Sequence, residues 1–550
     1  MQILWRSARL PFGISLKRQV LGQFSLGRAN HTKAYITTPI YYVNAVPHIG
    51  HLYSSVLADT ITRYYALKGA QTNLCTGTDE HGLKIQQAAE KNKTDPLAFC
   101  DRVSESFKSL CDEANIDYTT FIRTTEKRHA EAVKELWGVL LKNGYIYKGK
   151  HEGWYAVSDE AFYASNQVHE VEDSKTGEKT MVAIESGQRV EWTTEENYKF
   201  KLSEFQDKLL TWIDENPTAI VPNNRKNEVV SWIKAGLADL SVSRLRSRLD
   251  WGIQVPNDPE HTIYVWLDAL TNYLTATGYP WPKDSKTKDF WPADVHVVGK
   301  DIVRFHAIYW PAFLMAANLP LPKQILAHAH WTMGKQKMSK SKGNVADPFE
   351  AMKIYGVDSV RYYLMRDGGL ADDGDYSEDM IKTRYKKDLA GQLGNLLSRS
   401  TGKILMPLGV IPSQPSGEID PKDSLLHTEL ESLSATFEKA FDEREFNKGF
   451  NAVFDALTEA NRHFTQNAPW ELVKDEANKA RLDATLFYAT EACRITGILL
   501  QPVMPTKMDS LLTRLGVPKN ERTLAHAKIS ATPKLRTLNE LPDVLFAKLK

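Results

Sequence analysis

The residues best suited to chemistry in this chain of 550 residues lie in two stretches far apart along it. The first, 38–51, runs through Pro39, Ile40, Tyr41, Tyr42 and Asn44 to His48, Ile49, Gly50 and His51. It falls between a β-like run, 34–37, and a run at 52–68 whose apolar residues Leu52, Val56, Ile61, Tyr64 and Tyr65 recur at near-helical spacing. A strand, a loop and a helix start follow from that pattern. A helix N-terminus presents unpaired N–H groups and a partial positive charge, and two imidazoles there add donors where a phosphate would sit. Gly50, with no side chain, would let a ring or phosphate approach the backbone. Taken alone, the stretch fits a surface loop with two ordinary histidines equally well.

The second stretch, 335–344, places Lys335, Lys337, Lys340 and Lys342 around Met338, Ser339 and Ser341 and ends in Gly343 and Asn344. A charge run of this kind is commonly just a solvated face. Here it follows a strand-like run, 324–330, and reads as a cationic lid, since lysine is a point charge on a long stem that can follow phosphate oxygens.

The elements that must position these residues alternate. A second strand at 72–76 ends in Gly77, Thr78, Asp79, Glu80, His81 and Gly82, and a polar loop at the carboxyl end of a strand is where open α/β sheets place ligands. Asp79 there competes with a plain role as cap of the next helix, 83–91. A helix at 126–143 buries Val133, Leu136, Trp137, Leu140 and Leu141 and stops at Gly144. From 145 to 260 the chain is turn-rich with short β-like pieces, which marks an insertion. Alternation resumes with β runs at 262–267 and 295–298 and at the strand before the lysines. The pattern predicts an α/β fold: a doubly wound, parallel, Rossmann-like sheet split by an inserted domain. After Ser377, a helix cap, the sequence is helical nearly to its end apart from breaks at 406–416, which predicts an all-α bundle. The segments are 34–144 and 261–344 for the two halves of the catalytic domain, 145–260 for the insertion, 345–385 for a stem and 386–550 for the bundle.

Composition sets the outer limits. With 42% hydrophobic and 25% charged residues the chain has the profile of an ordinary globular protein of several domains. Cys75, Cys100, Cys111 and Cys493 form no C-x-x-C pair, so neither a disulfide framework nor a cysteine zinc site is indicated. No stretch approaches the run of about 20 apolar residues that spans a bilayer. Residues 1–33 hold Arg6, Arg9, Lys17, Arg18, Arg28 and Lys33 and no acid, the first carboxylate being Asp59. That composition describes a mitochondrial transit peptide, with a basic nucleic-acid-binding tail as the alternative. Since 69 basic residues face 68 acidic ones overall, the remainder is mildly acidic, and any RNA contact must come from local patches.

In their order along the chain, 48–51 and 337–341 resemble the paired ATP-binding motifs of class I aminoacyl-tRNA synthetases. Blocks at 39–44, 77–82, 195–198, 264–269 and 299–306 are similar to methionyl-tRNA synthetases in particular, and the insertion is too short for the large editing domain of the leucine, isoleucine and valine enzymes. Bacterial relatives often carry cysteine zinc knuckles in the insertion; 145–260 here holds no cysteine, so no zinc is expected.

The resemblance implies formation of methionyl-adenylate from L-methionine and ATP with Mg2+, followed by transfer to tRNA(Met). It implies His48, His51, Lys337 and Lys340 as catalytic donors, with Gly50, Gly299 and Asp301 also on ATP. Replacing Lys340 by alanine is expected to slow adenylation and spare methionine binding. For methionine it implies Ile40, Tyr42, Asp79, Trp266, Ala269, Tyr273, Ile302 and His306. A thioether makes no strong hydrogen bond, so selection must rest on shape and contact with aromatic rings, while Asp79 pairs with the ammonium. Asn395 and Arg399, four apart on one helix face, and Trp470 are implied for the anticodon, by stacking and base-edge hydrogen bonds. The plain alternatives are aromatic core packing for Tyr42, Trp266 and His306, and a bundle plug for Trp470. A monomer without membrane attachment, in the mitochondrial matrix, completes the expectation. The rival readings are an RNA-binding protein derived from a synthetase and another class I synthetase.

Overall fold

The computed structural model describes residues 33–156, 161–163, 165–172, 179–184, 186–282, 284–338, 345–529, 535–540 and 544–549. The basic segment up to residue 32 and Lys340 lie outside the described residues, and of Lys337 only the backbone is described.

Seven strands, all parallel, form the central sheet. Lys33–Thr37 lies in its middle, with Gln71–Asp79 on one side and Val295–Gly299 on the other; Ile36 faces Leu74 and Val295 in register. Beyond these come Tyr41–Tyr42 and Thr120–Arg123, both on Gln71–Asp79, and on the other flank Ile325–His328 and then Ile220–Val221. The chain builds outward on one side, leaves through the insertion and returns on the other. The strand order therefore reverses beside Lys33–Thr37, and crevices that take ligands form at such a switch point.

The helix Ile49–Leu67, hereafter the histidine helix, crosses over between Lys33–Thr37 and Gln71–Asp79 and is buried along most of its length. Apolar residues surround it because the sheet lies on one side and the stem and bundle on the other. Tyr53, Val56, Ile61 and Tyr64 share one hydrophobic core with Tyr362, Leu364, Phe437 and Phe441.

The insertion differs from its turn-rich reading. A long antiparallel pair, Ile146–Ala156 with Glu191–Phe200, is followed by two helices, Gln206–Glu215 and Asn223–Lys234. Between these helices Ile220–Val221 adds an edge strand to the central sheet through Ile325 and Leu326. The β run expected at 262–267 also needs correction. Only His261–Ile263 is a strand, and Val265–Leu270 is helical and buried nearly all round, with Val265, Leu267 and Leu270 in the core on the insertion side of the sheet. Trp266 therefore stands on a helix.

Before the lysines the chain makes a hairpin, Trp331–Met333 with Gln336–Lys337, around Gly334 and Lys335, both at positive φ (59° and 60°). Asp375 secures that turn by accepting from Lys335 N at 2.9 Å and Thr332 Oγ1 at 2.9 Å. Ser377 caps the helix Glu378–Arg384, as its sequence position predicts. The bundle is built on the long helices Ser424–Asp442, Phe446–Asn467 and Lys479–Leu500.

Candidate functional site

A cleft of about 950 Å³ opens at the carboxyl ends of Lys33–Thr37 and Val295–Gly299, at the switch point of the sheet. It is lined by His48, Gly50 and His51 at the histidine helix, and by Gly299 and Asp301 across from them. Ile40, Tyr42 and Asp79 line it on the strand side. Trp266, Ala269, Tyr273, Ile302 and His306 complete that set on the two helical segments opposite. Met338 and Val345, which flank 339–344, line the same cleft, so the described ends of the lysine stretch meet the histidine loop there.

The two histidines cap their own helix. His48 Nδ1 accepts from Gly50 N at 3.1 Å, and His51 Nδ1 accepts from His48 N at 3.1 Å. With both Nδ1 atoms acting as acceptors, each neutral ring carries its proton on Nε2 and presents a donor beside a helix N-terminus. Tyr41 and Phe107 hold the His51 ring edge-on at 5.1 Å each. Gly50 has a second reason to be glycine: a Cβ there would come within 3.0 Å of the His48 ring.

Beside Trp266, the His306 ring is fixed by hydrogen bonds that leave it uncharged. His306 Nδ1 donates to Ile302 O at 2.9 Å, so its Nε2 accepts from Tyr273 Oη at 2.7 Å. Burial pulls His306 down to about 4, outweighing the raising effect of the Ile302 carbonyl. Both ring nitrogens are thus engaged, and a neutral, polarizable ring stands in the pocket wall. Trp266 stacks flat on Phe305 at 3.7 Å with 7° between planes and meets His306 edge-on at 6.3 Å. Tyr42 is half-buried under Lys84, whose ammonium lies 5.7 Å from the ring. Asp79 is buried at the end of Gln71–Asp79. It is not the cap of the following helix, Leu83–Lys91, whose cap position is Gly82 and receives no side-chain bond.

The cleft also holds residues outside the expected set. His328 donates from Nδ1 to Ala329 O at 2.8 Å and accepts from Ser54 Oγ at 2.7 Å, and burial brings it down to about 4. It ties the strand Ile325–His328 to the histidine helix under the cleft floor. Asp301 Oδ2 lies 3.5 Å from His330 Nε2, and Lys300 pairs with Asp373 at 2.7 Å. Phe305, Ser54, His328 and Trp331 also line the cleft. Of these only Phe305 sits in a motif block, which is its one signal in the sequence. Arg225, Glu228 and Trp232 on Asn223–Lys234 bring the insertion to the cleft wall, with Trp232 packed under the Arg304 guanidinium at 5.6 Å. Their 3- and 4-residue spacing marks one helix face.

In the bundle, Asn395 and Arg399 share the short helix Asn395–Ser400, with Asn395 exposed. The Arg399 guanidinium lies 4.9 Å over Phe464 and 5.4 Å over Trp470, so it is not merely solvated. Trp470 is 41% exposed and follows a sharp turn at Ala468 (φ 45°), so it does not plug the bundle. Among the described residues no group of three or more histidine, cysteine or carboxylate side chains could hold a metal ion.

Comparison with known proteins fits this geometry. The family model described as tRNA synthetases class I (M) matches residues 34–401, and that described as the anticodon binding domain of methionyl tRNA ligase matches 411–550. A probable mitochondrial methionine–tRNA ligase of Neurospora crassa is 48% identical over 505 residues, covering 90% of this chain and 81% of that protein. The mitochondrial methionine–tRNA ligase of Homo sapiens is 45% identical over 521 residues, covering 92% and 87%. The structure of Mycobacterium tuberculosis methionyl-tRNA synthetase in complex with methionyl-adenylate superposes with a TM-score of 0.88 at 41% identity, covering 94% of this chain and 100% of that one. With the two histidines and the Met338 and Val345 ends of the lysine stretch lining one cleft, and with this breadth of similarity, the chain belongs to the methionyl-tRNA synthetase family of class I aminoacyl-tRNA synthetases.

Proposed function

We infer that the protein attaches methionine to tRNA in two ATP-dependent steps. The methionine carboxylate attacks the α-phosphorus of ATP, a P–O bond forms, and pyrophosphate leaves. A terminal ribose hydroxyl of tRNA then attacks the activated carbonyl, and AMP leaves. The carboxylate is already a nucleophile, so the first step needs alignment and charge stabilisation rather than a general base. The observation that carries the reading is the single cleft in which the His48–His51 helix start and the aromatic pocket around Trp266 and His306 lie together.

Within it the roles divide by chemistry. The Nε2 donors of His48 and His51 suit the phosphates, with Lys337 and Lys340 as further cations for them and Mg2+ arriving with ATP as a phosphate clamp. Gly299 and Asp301 suit the ribose, where a carboxylate accepts from hydroxyls. Asp79 takes the ammonium. Ile40, Tyr42, Trp266, Ala269, Tyr273, Ile302 and the neutral His306 enclose the thioether. The Arg399–Trp470 pair with Asn395 offers stacking faces and donors for the anticodon of tRNA(Met). The basic, acid-poor segment before residue 34 and the mitochondrial relatives support work in the mitochondrion; the matrix is proposed as its place and a monomer as its form. No zinc is assigned. The test is methionine-dependent exchange of labelled pyrophosphate into ATP, followed by charging of tRNA(Met). Exchange without charging, or charging with another amino acid, would overturn the reading.

A further inference from the structure

Behind the methionine wall lies a buried carboxylate that none of these roles uses. Asp268, on the helix Val265–Leu270, is fully buried, with Oδ2 2.7 Å from His81 Nδ1 and Oδ1 2.8 Å from His129 Nε2. His129, on Lys127–Lys142, is also fully buried, and its Nδ1 lies 2.9 Å from Thr275 Oγ1. Burial opposes the charge on Asp268, and the two histidine rings outweigh it, so the carboxyl stays below the ordinary range. A carboxylate at that depth is costly unless its partners keep their places. The cluster therefore constrains the spacing of every element that joins it.

Two of those elements are opposite walls of the methionine pocket. His81 follows Asp79 by two residues; Asp268 follows Trp266 by two and precedes Ala269. The loop after Gln71–Asp79 is pinned elsewhere by the Glu80 carboxylate, which takes Arg123 Nε at 2.7 Å, and by the Glu80 carbonyl, which takes Trp251 Nε1 at 2.5 Å. The first ties the loop to the neighbouring strand Thr120–Arg123, and the second to the segment that precedes and pairs with His261–Ile263. The His81–Asp268 bond ties it directly to the helix carrying Trp266, and His129 with Thr275 braces Asp268 from behind.

We propose that Asp268 is a positioning residue that, through His81, fixes the span between the ammonium site at Asp79 and the thioether wall at Trp266, and so sets the length of amino-acid side chain the enzyme accepts. An apolar pocket separates substrates differing by one methylene only by shape, so a fixed span is what such a pocket has to work with. The proposal rests on the methionine reading above.

The experiment compares His81→Asn with His81→Gln in methionine-dependent pyrophosphate exchange. The asparagine amide nitrogen replaces Nδ1 and keeps the bond to Asp268, whereas the glutamine amide reaches the Nε2 position and loses it. Exchange by the unmodified enzyme tests the methionine reading; only the variants test Asp268. His81→Gln is expected to raise the KM for methionine about tenfold while leaving that for ATP unchanged, and to narrow the preference for methionine over ethionine, which is longer by one methylene. His81→Asn is expected to restore both. Equal shifts in the two KM values, no shift with His81→Gln, or equal impairment by the two substitutions would overturn the proposal.

Discussion

The imidazoles of His48 and His51 stack at 3.8 Å with 27° between their planes, and each turns its Nδ1 to a backbone N–H of the turn they open. One edge of each ring therefore serves the fold, and both residues line the cleft. His48→Asn separates the two roles: its amide oxygen can cap Gly50 N in place of Nδ1, but nothing replaces the Nε2 donor. The variant is expected to unfold at the same denaturant concentration as the parent and to lose about a hundredfold in the adenylation rate constant, as for a lost oxyanion donor. Single-turnover formation of methionyl-adenylate measures it. An undiminished rate would remove His48 from the phosphates.

Arg399 lies over two adjoining rings, Phe464 and Trp470, whose centroids are 6.5 Å apart, which makes it a prepared stacking face. Arg399→Ala is expected to raise the KM for tRNA roughly tenfold to a hundredfold, the worth of about 1–3 kcal/mol of stacking, and to leave pyrophosphate exchange unchanged. Arg399→Lys should not rescue it, because an ammonium lacks the planar face. Charging assays with tRNA in varied concentration decide this, and a change in exchange would place the fault in folding instead.

The legible parts of this molecule are those with local periodicity. The strand, loop and helix around His48 can be read directly from the apolar spacing, as can the N-cap Ser377 and the stop at Gly144, whose φ of 77° suits glycine. The segment after Tyr264 is misread as β because Val265, Trp266 and Leu267 are strand-prone types, and only the tertiary core on both sides of them makes a helix the better burial. In the insertion, Leu209, Trp212 and Ile213, like Val229 and Ile233, keep helical spacing, but Pro217, Pro222 and a run of asparagines break the windows in which it shows. The Asp268 cluster has no local signature, since its partners lie 187 and 139 residues away.

The histidine helix is anchored at its middle by a fully buried ion pair, Asp59 with Arg361, at 2.5 Å. Arg361 also donates to Val503 O, Ala114 O and Pro502 O, so one guanidinium joins the helix to the stem and the bundle. Arg361→Met is expected to cost about 3–5 kcal/mol, toward the lower end because Arg63 Nε still reaches Asp59 at 2.8 Å. Adding Asp59→Asn should recover part of the loss, since no charge is then left buried and unpaired. Guanidinium unfolding of the single and double variants measures the coupling; strict additivity would show that the pair contributes no interaction of its own.

Three histidines around the cleft, His296, His306 and His328, are buried and neutral. Burial places the last two at about 4 and the first well below its ordinary value, with His306 adding to the effect on His296. The unfolded chain takes up these protons near pH 6.5, while in the folded protein His306 and His328 resist until near pH 4. Their contribution to stability is therefore complete above about pH 6.5 and is lost as the pH falls from there toward 4, by up to about 1.4 kcal/mol per pH unit for each ring. His328→Asn keeps a donor for Ala329 O and removes one titrating group, so its stability should fall less steeply across that window. Urea midpoints at pH 7.5, 6.0 and 5.0 test this, with the variant crossing above its expected offset at the acid end. Because His306 stays neutral throughout, the KM for methionine should remain level between pH 6 and 8; a rise on the acid side of that range would mean the ring takes a proton and ceases to be an apolar wall.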